Sequence, residues 1–140
     1  MTIKSFGPGS NLAGPALAAL RIMSALLFMA HGIQKFFGFP SIRYGIANPM
    51  SLMGVAGILE IVGGALLLIG LFTRPAAFVL AGQMAVAYFM AHASKGMYPI
   101  DNGGESAILF CFVFLLLAAA GPGPFSVDGV LGSRKAPAEL

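Results

Sequence analysis

Four apolar stretches, each close to the length of a bilayer-crossing helix, run along the chain and are parted by breaks rich in glycine, proline and polar residues. A hydrocarbon core about 30 Å thick takes roughly 20 apolar residues per helix. The first stretch extends from about Pro15 to Phe39, the second from about Ser51 to Phe72, the third from about Pro75 to Ala93 and the fourth from about Glu105 to Gly121. The breaks have their own logic. Gly38-Phe39-Pro40 and Asn48-Pro49 bracket the first loop, and Pro75 suits the first position of a helix after the tight turn Thr73-Arg74. Residues 98–104 form the third loop. Gly121-Pro122-Gly123-Pro124 stops the last helix, because proline cannot continue one. In lipid only helices and closed barrels satisfy the backbone. Barrel strands would alternate polar and apolar positions, and these runs do not. The expected fold is all-α, an integral membrane bundle of four transmembrane helices spanning 15–129. Segments 1–14 and 130–140 read as flexible tails.

Composition agrees with the pattern. The 140 residues are 58% hydrophobic and 9% charged, against about 25% charged in soluble domains. The mean hydropathy is +0.89. The net charge of +3 is spread over Lys4, Arg21, Lys35, Arg43, Arg74, Lys95, Arg134 and Lys135 without a basic run, so nucleic acid is not an expected partner. The lipid bilayer is. With Cys111 as the single cysteine, an intramolecular disulfide and a C-x-x-C redox pair are excluded, and Cys111 reads as a small packing residue. Arg21 interrupts the apolar part of the first stretch, a poor signal-peptide pattern, so this span is expected to remain in the protein. Four spans put both termini on one side, with Lys4, Arg74, Arg134 and Lys135. Arg43 and Lys95 fall on the other. The positive-inside rule then places the termini in the cytoplasm of a multi-pass inner-membrane protein.

Ionisable residues at membrane depth are costly and need a partner or a task. The first span carries Arg21, His31 and Lys35, and the second carries Glu60. His92 ends the third, Glu105 opens the fourth, and Gln83 adds an uncharged polar group. At about 100° per residue, Arg21, Phe28, His31 and Lys35 share a stripe of the first helix, while Gly57, Glu60 and Gly64 share a face of the second. Small residues around Glu60 let a neighbouring helix approach, so Glu60 is expected to face protein. At 1.5 Å per residue, His31 lies about 10 Å and Glu60 about 14 Å inside the face that carries the first loop, with Lys35 and Glu105 within about 5 Å of it. Most polar residues therefore collect in the half away from the termini.

Two readings stay open for them. Glu60–His31 and Glu105–Lys35 pairs would fix helix order, and Arg21 would snorkel to the headgroups or reach toward Glu60. Alternatively, His31, Lys35, Glu60, Glu105, Arg21, Tyr88 and His92 form a ligand or proton site. Two histidines and two carboxylates suggest a metal, but neither H-x-x-E nor E-x-x-H spacing occurs, so no metal is expected. Asn102-Gly103-Gly104-Glu105 reads as a capping box opening the fourth helix, or as a glycine approach to a ligand beside a carboxylate. Tyr88 and His92, four residues apart, share a face, suited to a quinone head group or to an interfacial aromatic belt.

Four motifs in order carry a family resemblance. Arg21 precedes His31-Gly32-Ile33-Gln34-Lys35; Glu60 to Arg74 reads E-x-x-G-G-x-L-L-L-x-G-L-x-T-R; Asn102 to Glu105 reads N-G-G-E; and Gly121 to Asp128 reads G-P-G-x-x-S-x-D. From about Leu20 to Gly129 the chain resembles the DoxX family of small four-helix membrane proteins. The resemblance implies membrane redox chemistry, since members include a subunit of a thiosulfate:quinone oxidoreductase and components of oxidative-stress complexes. A fold by itself does not fix a function. The expected function is a membrane subunit of a quinone-linked redox system, with His31 and Glu60 contacting the head group or relaying its protons and Lys35 and Glu105 lining the outer mouth. No signature for a bound haem, flavin or iron–sulfur cluster is present, so electrons would come from a redox partner protein or a soluble reductant. A non-enzymatic scaffold, whose polar residues only fix packing, is the alternative. A small transporter ranks behind both, because four short spans leave little room for alternating access without a homo-oligomer and no inverted repeat is visible.

Overall fold

A computed structural model describes residues 10–43 and 45–135. Among them all regular structure is helical. Helix α1 spans Ala13–Phe37, preceded by a 3-10 turn at Ser10–Leu12; α2 spans Leu52–Ile69 and α3 spans Thr73–Ala87. The chain of α3 continues through a widened π-type turn, Tyr88–His92, and a 3-10 turn, Ala93–Lys95. A short helix α4, Pro99–Asn102, leads into α5, Glu105–Ala120, and α6, Val127–Lys135, closes the described chain. Three helical runs, Ala13–Phe37, Leu52–Ile69 and Thr73–Lys95, are long and apolar enough to cross a membrane. The apolar α5 is shorter, 16 residues, or about 24 Å at the α-helical rise. The four form the expected bundle.

The ends follow local chemistry. Ser51 caps α2, its hydroxyl accepting the Gly54 N–H at 3.0 Å. Left-handed Gly38 and Gly70 end α1 and α2, where a residue without Cβ meets no steric cost. At Gly70 a methyl group would also stand 2.4 Å from Ser126 Cβ and 2.6 Å from an Arg21 nitrogen.

The bundle is built from two close pairs, α1 on α2 and α3 on α5. Small residues set the first crossing. Gly32 faces α2 so closely that a Cβ there would lie 2.7 Å from Ile61 Cγ1 and 2.8 Å from the Gly57 carbonyl oxygen. Gly54, Gly57, Gly63 and Gly64 are all buried on α2, the close-approach pattern of membrane helices. Phe28, Leu67, Leu80, Phe114 and Leu117 fill the centre, with Phe28 edge-on to Phe114 at 4.9 Å. Cys111 packs against this core. Large apolar side chains such as Leu27, Val55, Ile58, Phe78 and Phe112 point outward. That arrangement fits a lipid solvent, where outer surfaces need not be polar.

Residues 130–135 of the expected C-terminal tail are helical, within α6. Val127, Val130 and Leu131 recur at i, i+3 and i+4, which gives this stretch an apolar side. At the other end α1 begins at Ala13, inside the expected N-terminal tail. Residues 1–9 and 136–140 of the two expected tails lie outside the described residues.

Candidate functional site

The crossing at Gly32 decides which polar side chains meet. Lys35, one turn beyond Gly32, lies toward α2, whereas His31, about 100° around the helix from Gly32, turns toward α5 and the bundle exterior. The Lys35 ammonium accordingly bonds the Glu60 carboxylate through Oε1 at 2.5 Å. Glu60 is buried, at 3% exposure. From α3, Gln83 Nε2 donates to Glu60 Oε1 at 3.4 Å and to the Ala56 carbonyl at 3.2 Å. Three helices thus converge on one carboxylate. Its second oxygen, Oε2, and the Gln83 Oε1 are both buried without a hydrogen-bond partner among the described residues. Such orphaned acceptors cost free energy unless a donor reaches them.

The expected pairs Glu60–His31 and Glu105–Lys35 are therefore corrected to a Lys35–Glu60 ion pair. His31 is exposed and meets Phe110 edge-on, ring centroids 6.0 Å apart. Glu105 is exposed in the first turn of α5, where a carboxylate complements the helix dipole.

A second polar group closes the same end of the bundle. The Tyr88 and His92 rings stack at 6.4 Å and 24°. His92 Nδ1 donates to the Asn102 carbonyl at 3.0 Å, which leaves Nε2 as the acceptor in the neutral ring. Buried Asn102 ties the group together: its Nδ2 donates to the Gly96 carbonyl at 2.9 Å and to the Tyr88 hydroxyl at 3.3 Å, and its Oδ1 accepts the Gly104 N–H at 2.8 Å. The capping box is corrected here. Gly104 itself precedes the first turn of α5 without a side-chain cap, and Asn102 closes a local turn before it. Gly104 is required because a Cβ would lie 2.5 Å from Tyr88 Cε2.

Arg21 does something else again. It neither snorkels nor reaches Glu60. It is fully buried and donates to five carbonyls: Leu67 and Leu68 at the last turn of α2, and Pro122, Pro124 and Phe125 of the segment after α5. The last carbonyls of a helix have no intrahelical donor, and a cation there also meets the negative end of the dipole. Asp128, noticed in the sequence only as the end of a motif, completes this knot. Its carboxylate accepts the Phe72 and Thr73 N–H groups, each at 2.9 Å, and so caps α3 from 55 positions away along the chain. Partial burial alone would push the Asp128 carboxyl up. The donors at Thr73 and Phe72 and the nearby Arg21 outweigh it and hold the group below its ordinary value. Arg74 joins the ends of α3 and α5 by donating to the Ala118 and Ala119 carbonyls.

The comparisons with known proteins bear on which family builds such a bundle. The DoxX family profile matches residues 16–93. The chain belongs to the DoxX family. This DoxX protein is 48% identical over 119 residues to an uncharacterized protein of Haemophilus influenzae, covering 80% of this chain and 87% of the relative. It is 31% identical to the inner membrane protein YqjF of Escherichia coli, covering 81% of this chain and 90% of that one. The inner membrane protein YphA of Escherichia coli is 29% identical, with 91% of this chain and 97% of the relative covered. No solved structure matches the chain. With these relatives and its own apolar helices, this DoxX protein is a multi-pass membrane protein. Among its described residues no three His, Cys, Asp or Glu side chains gather as a metal site would require.

Proposed function

We propose that this DoxX protein is the membrane subunit of a quinone-linked redox system in the inner membrane, with its termini in the cytoplasm. The observation that carries the reading is the buried Glu60 carboxylate, paired with Lys35 and holding one acceptor oxygen free inside the bundle. Reduction of a quinone to a quinol takes up two electrons and two protons. His31, exposed beside Phe110 on the outer surface of the bundle, is placed to meet a head group arriving through the lipid. Glu60, joined to α1 through Lys35, passes one of the two protons to the head group and regains it from the aqueous side, and the second proton reaches the exposed head group from the aqueous side directly. The electrons come from a redox partner protein.

Quinone titration of the purified protein tests this. The parent is expected to bind a short-chain quinone saturably, and His31→Ala to lose that binding while keeping its thermal midpoint. Unchanged affinity in His31→Ala overturns the proposed contact. A scaffold role is the second reading, favoured by Arg21, whose donors are all spent on backbone carbonyls that hold helices together. It predicts no quinone binding by a stable parent and co-purification with a partner protein.

A further inference from the structure

A groove of about 480 Å³ lies between the end of α2 and helix α6. Ile69, Phe125, Val130 and Leu131 supply its apolar wall, and Arg134 lies at its edge. All of these side chains are open to the surroundings: Phe125 is 80% exposed and Val130 53%. On α6 the lining residues Val127, Val130, Leu131 and Arg134 fall at i, i+3, i+4 and i+7, one face of a helix. This face therefore presents an apolar strip that ends in a cation.

Its position in the fold says what covers it. Ile69 ends a membrane-spanning helix, and α6 follows the last span after a six-residue break that contains Pro122 and Pro124. The groove stands at the level where acyl chains give way to headgroups. A helix with one apolar face and a basic end lies in that plane, its apolar side toward the chains. Among the described residues the groove lining contains no carboxylate. The nearby Asp128 is already engaged by the Phe72 and Thr73 N–H groups and by Arg21. Among the described residues Arg134 has no carboxylate partner within salt-bridge distance. A planar guanidinium is suited to bind phosphate with two parallel hydrogen bonds.

We infer that the α2–α6 groove is a binding site for an anionic phospholipid, with an acyl chain along Ile69, Val130 and Leu131 and the phosphate headgroup at Arg134. The site is distinct from the Glu60 region and does not depend on the redox reading.

Native mass spectrometry of the full-length protein in a neutral detergent tests it, with phosphatidylglycerol and phosphatidylcholine as probes. The parent is expected to retain phosphatidylglycerol in preference to phosphatidylcholine. Arg134→Gln should reduce that preference about fivefold, the effect of one cation at an anionic surface. Leu131→Ser should weaken retention of both lipids. Both positions are exposed, so a thermal melt is expected to show parent-like folding. Equal retention of the two lipids by the parent, or an unchanged preference in Arg134→Gln, overturns the inference. A lipid-free dimer that Leu131→Ser dissociates also overturns it, and makes the groove a contact between two copies.

Discussion

Lys35 turns inward. Its ammonium bonds Glu60, 25 positions on and one helix over, although its place near the end of α1 would let it reach the headgroups. Lysines near span ends ordinarily snorkel outward. The inward direction shows that the buried carboxylate is the stronger attraction.

The pair has a thermodynamic signature. Removing one partner of a buried pair strands the other, at a cost of about 3–5 kcal/mol, whereas replacing both with apolar residues is often close to neutral. Lys35→Met should lower the thermal midpoint in detergent, and Lys35→Met with Glu60→Met should recover most of the loss. A double variant no more stable than the single would show that the charge pair is not what the single variant lost.

Arg21 should be the least replaceable side chain of the bundle. Arg21→Lys keeps the charge but offers a compact ammonium where a planar fork now meets carbonyls from two segments. Each buried carbonyl left unpaired costs about 1–3 kcal/mol, so Arg21→Lys should lose about 3 kcal/mol and Arg21→Met more. Urea or thermal unfolding in detergent reads this directly. A conservative variant as stable as the parent would contradict the clasp.

Asp128 gives a pH dependence with a definite sign. Its carboxyl lies below the ordinary value of 3.8 in the folded protein. The capping contribution is therefore fully present above that value and is lost as pH falls through the lower, folded value. The melting temperature should drop on acidification below about pH 4, and Asp128→Asn should show less of that drop while being about 1 kcal/mol less stable at neutral pH. Parallel pH profiles for parent and variant would count against the cap.

Much of the fold was legible because membrane helices announce themselves. Apolar length and the Gly/Pro breaks located four helices to within a few residues, and the glycines around Glu60 correctly turned it inward. The pairings were harder to read. His31 and Lys35 share a stripe at 100° per residue, yet the contact of Gly32 with Gly57 and Ile61 rotates α1 so that only Lys35 meets α2. No periodicity within one helix contains that rotation. Asn102 read as a cap, but its partners Tyr88 and Gly96 lie in the preceding element. Gln83 stood out only as an uncharged polar residue, since its contact with Glu60 depends on how α3 packs on α2. Arg21 and Asp128 were visible as motif residues, while their acceptors and donors are backbone groups that carry no sequence signal.

The close crossing makes its own prediction. Gly32→Val would press into Ile61 and the Gly57 carbonyl and force α1 away from α2. A loss of about 1–3 kcal/mol is expected from overpacking, together with a weaker Lys35–Glu60 pair. A parent-like melt for Gly32→Val would contradict the crossing geometry.

On the proposed function, Glu60 exchanges a proton when a quinone bound to this protein is reduced. An infrared difference spectrum, recorded on electrochemical reduction of a short-chain quinone bound to the purified protein, reads that exchange directly. A carboxylic-acid carbonyl band is expected to change on reduction in the parent and to be lost in Glu60→Gln under conditions where the variant still binds quinone. A parent spectrum without that band, or one that Glu60→Gln leaves unchanged, would contradict it.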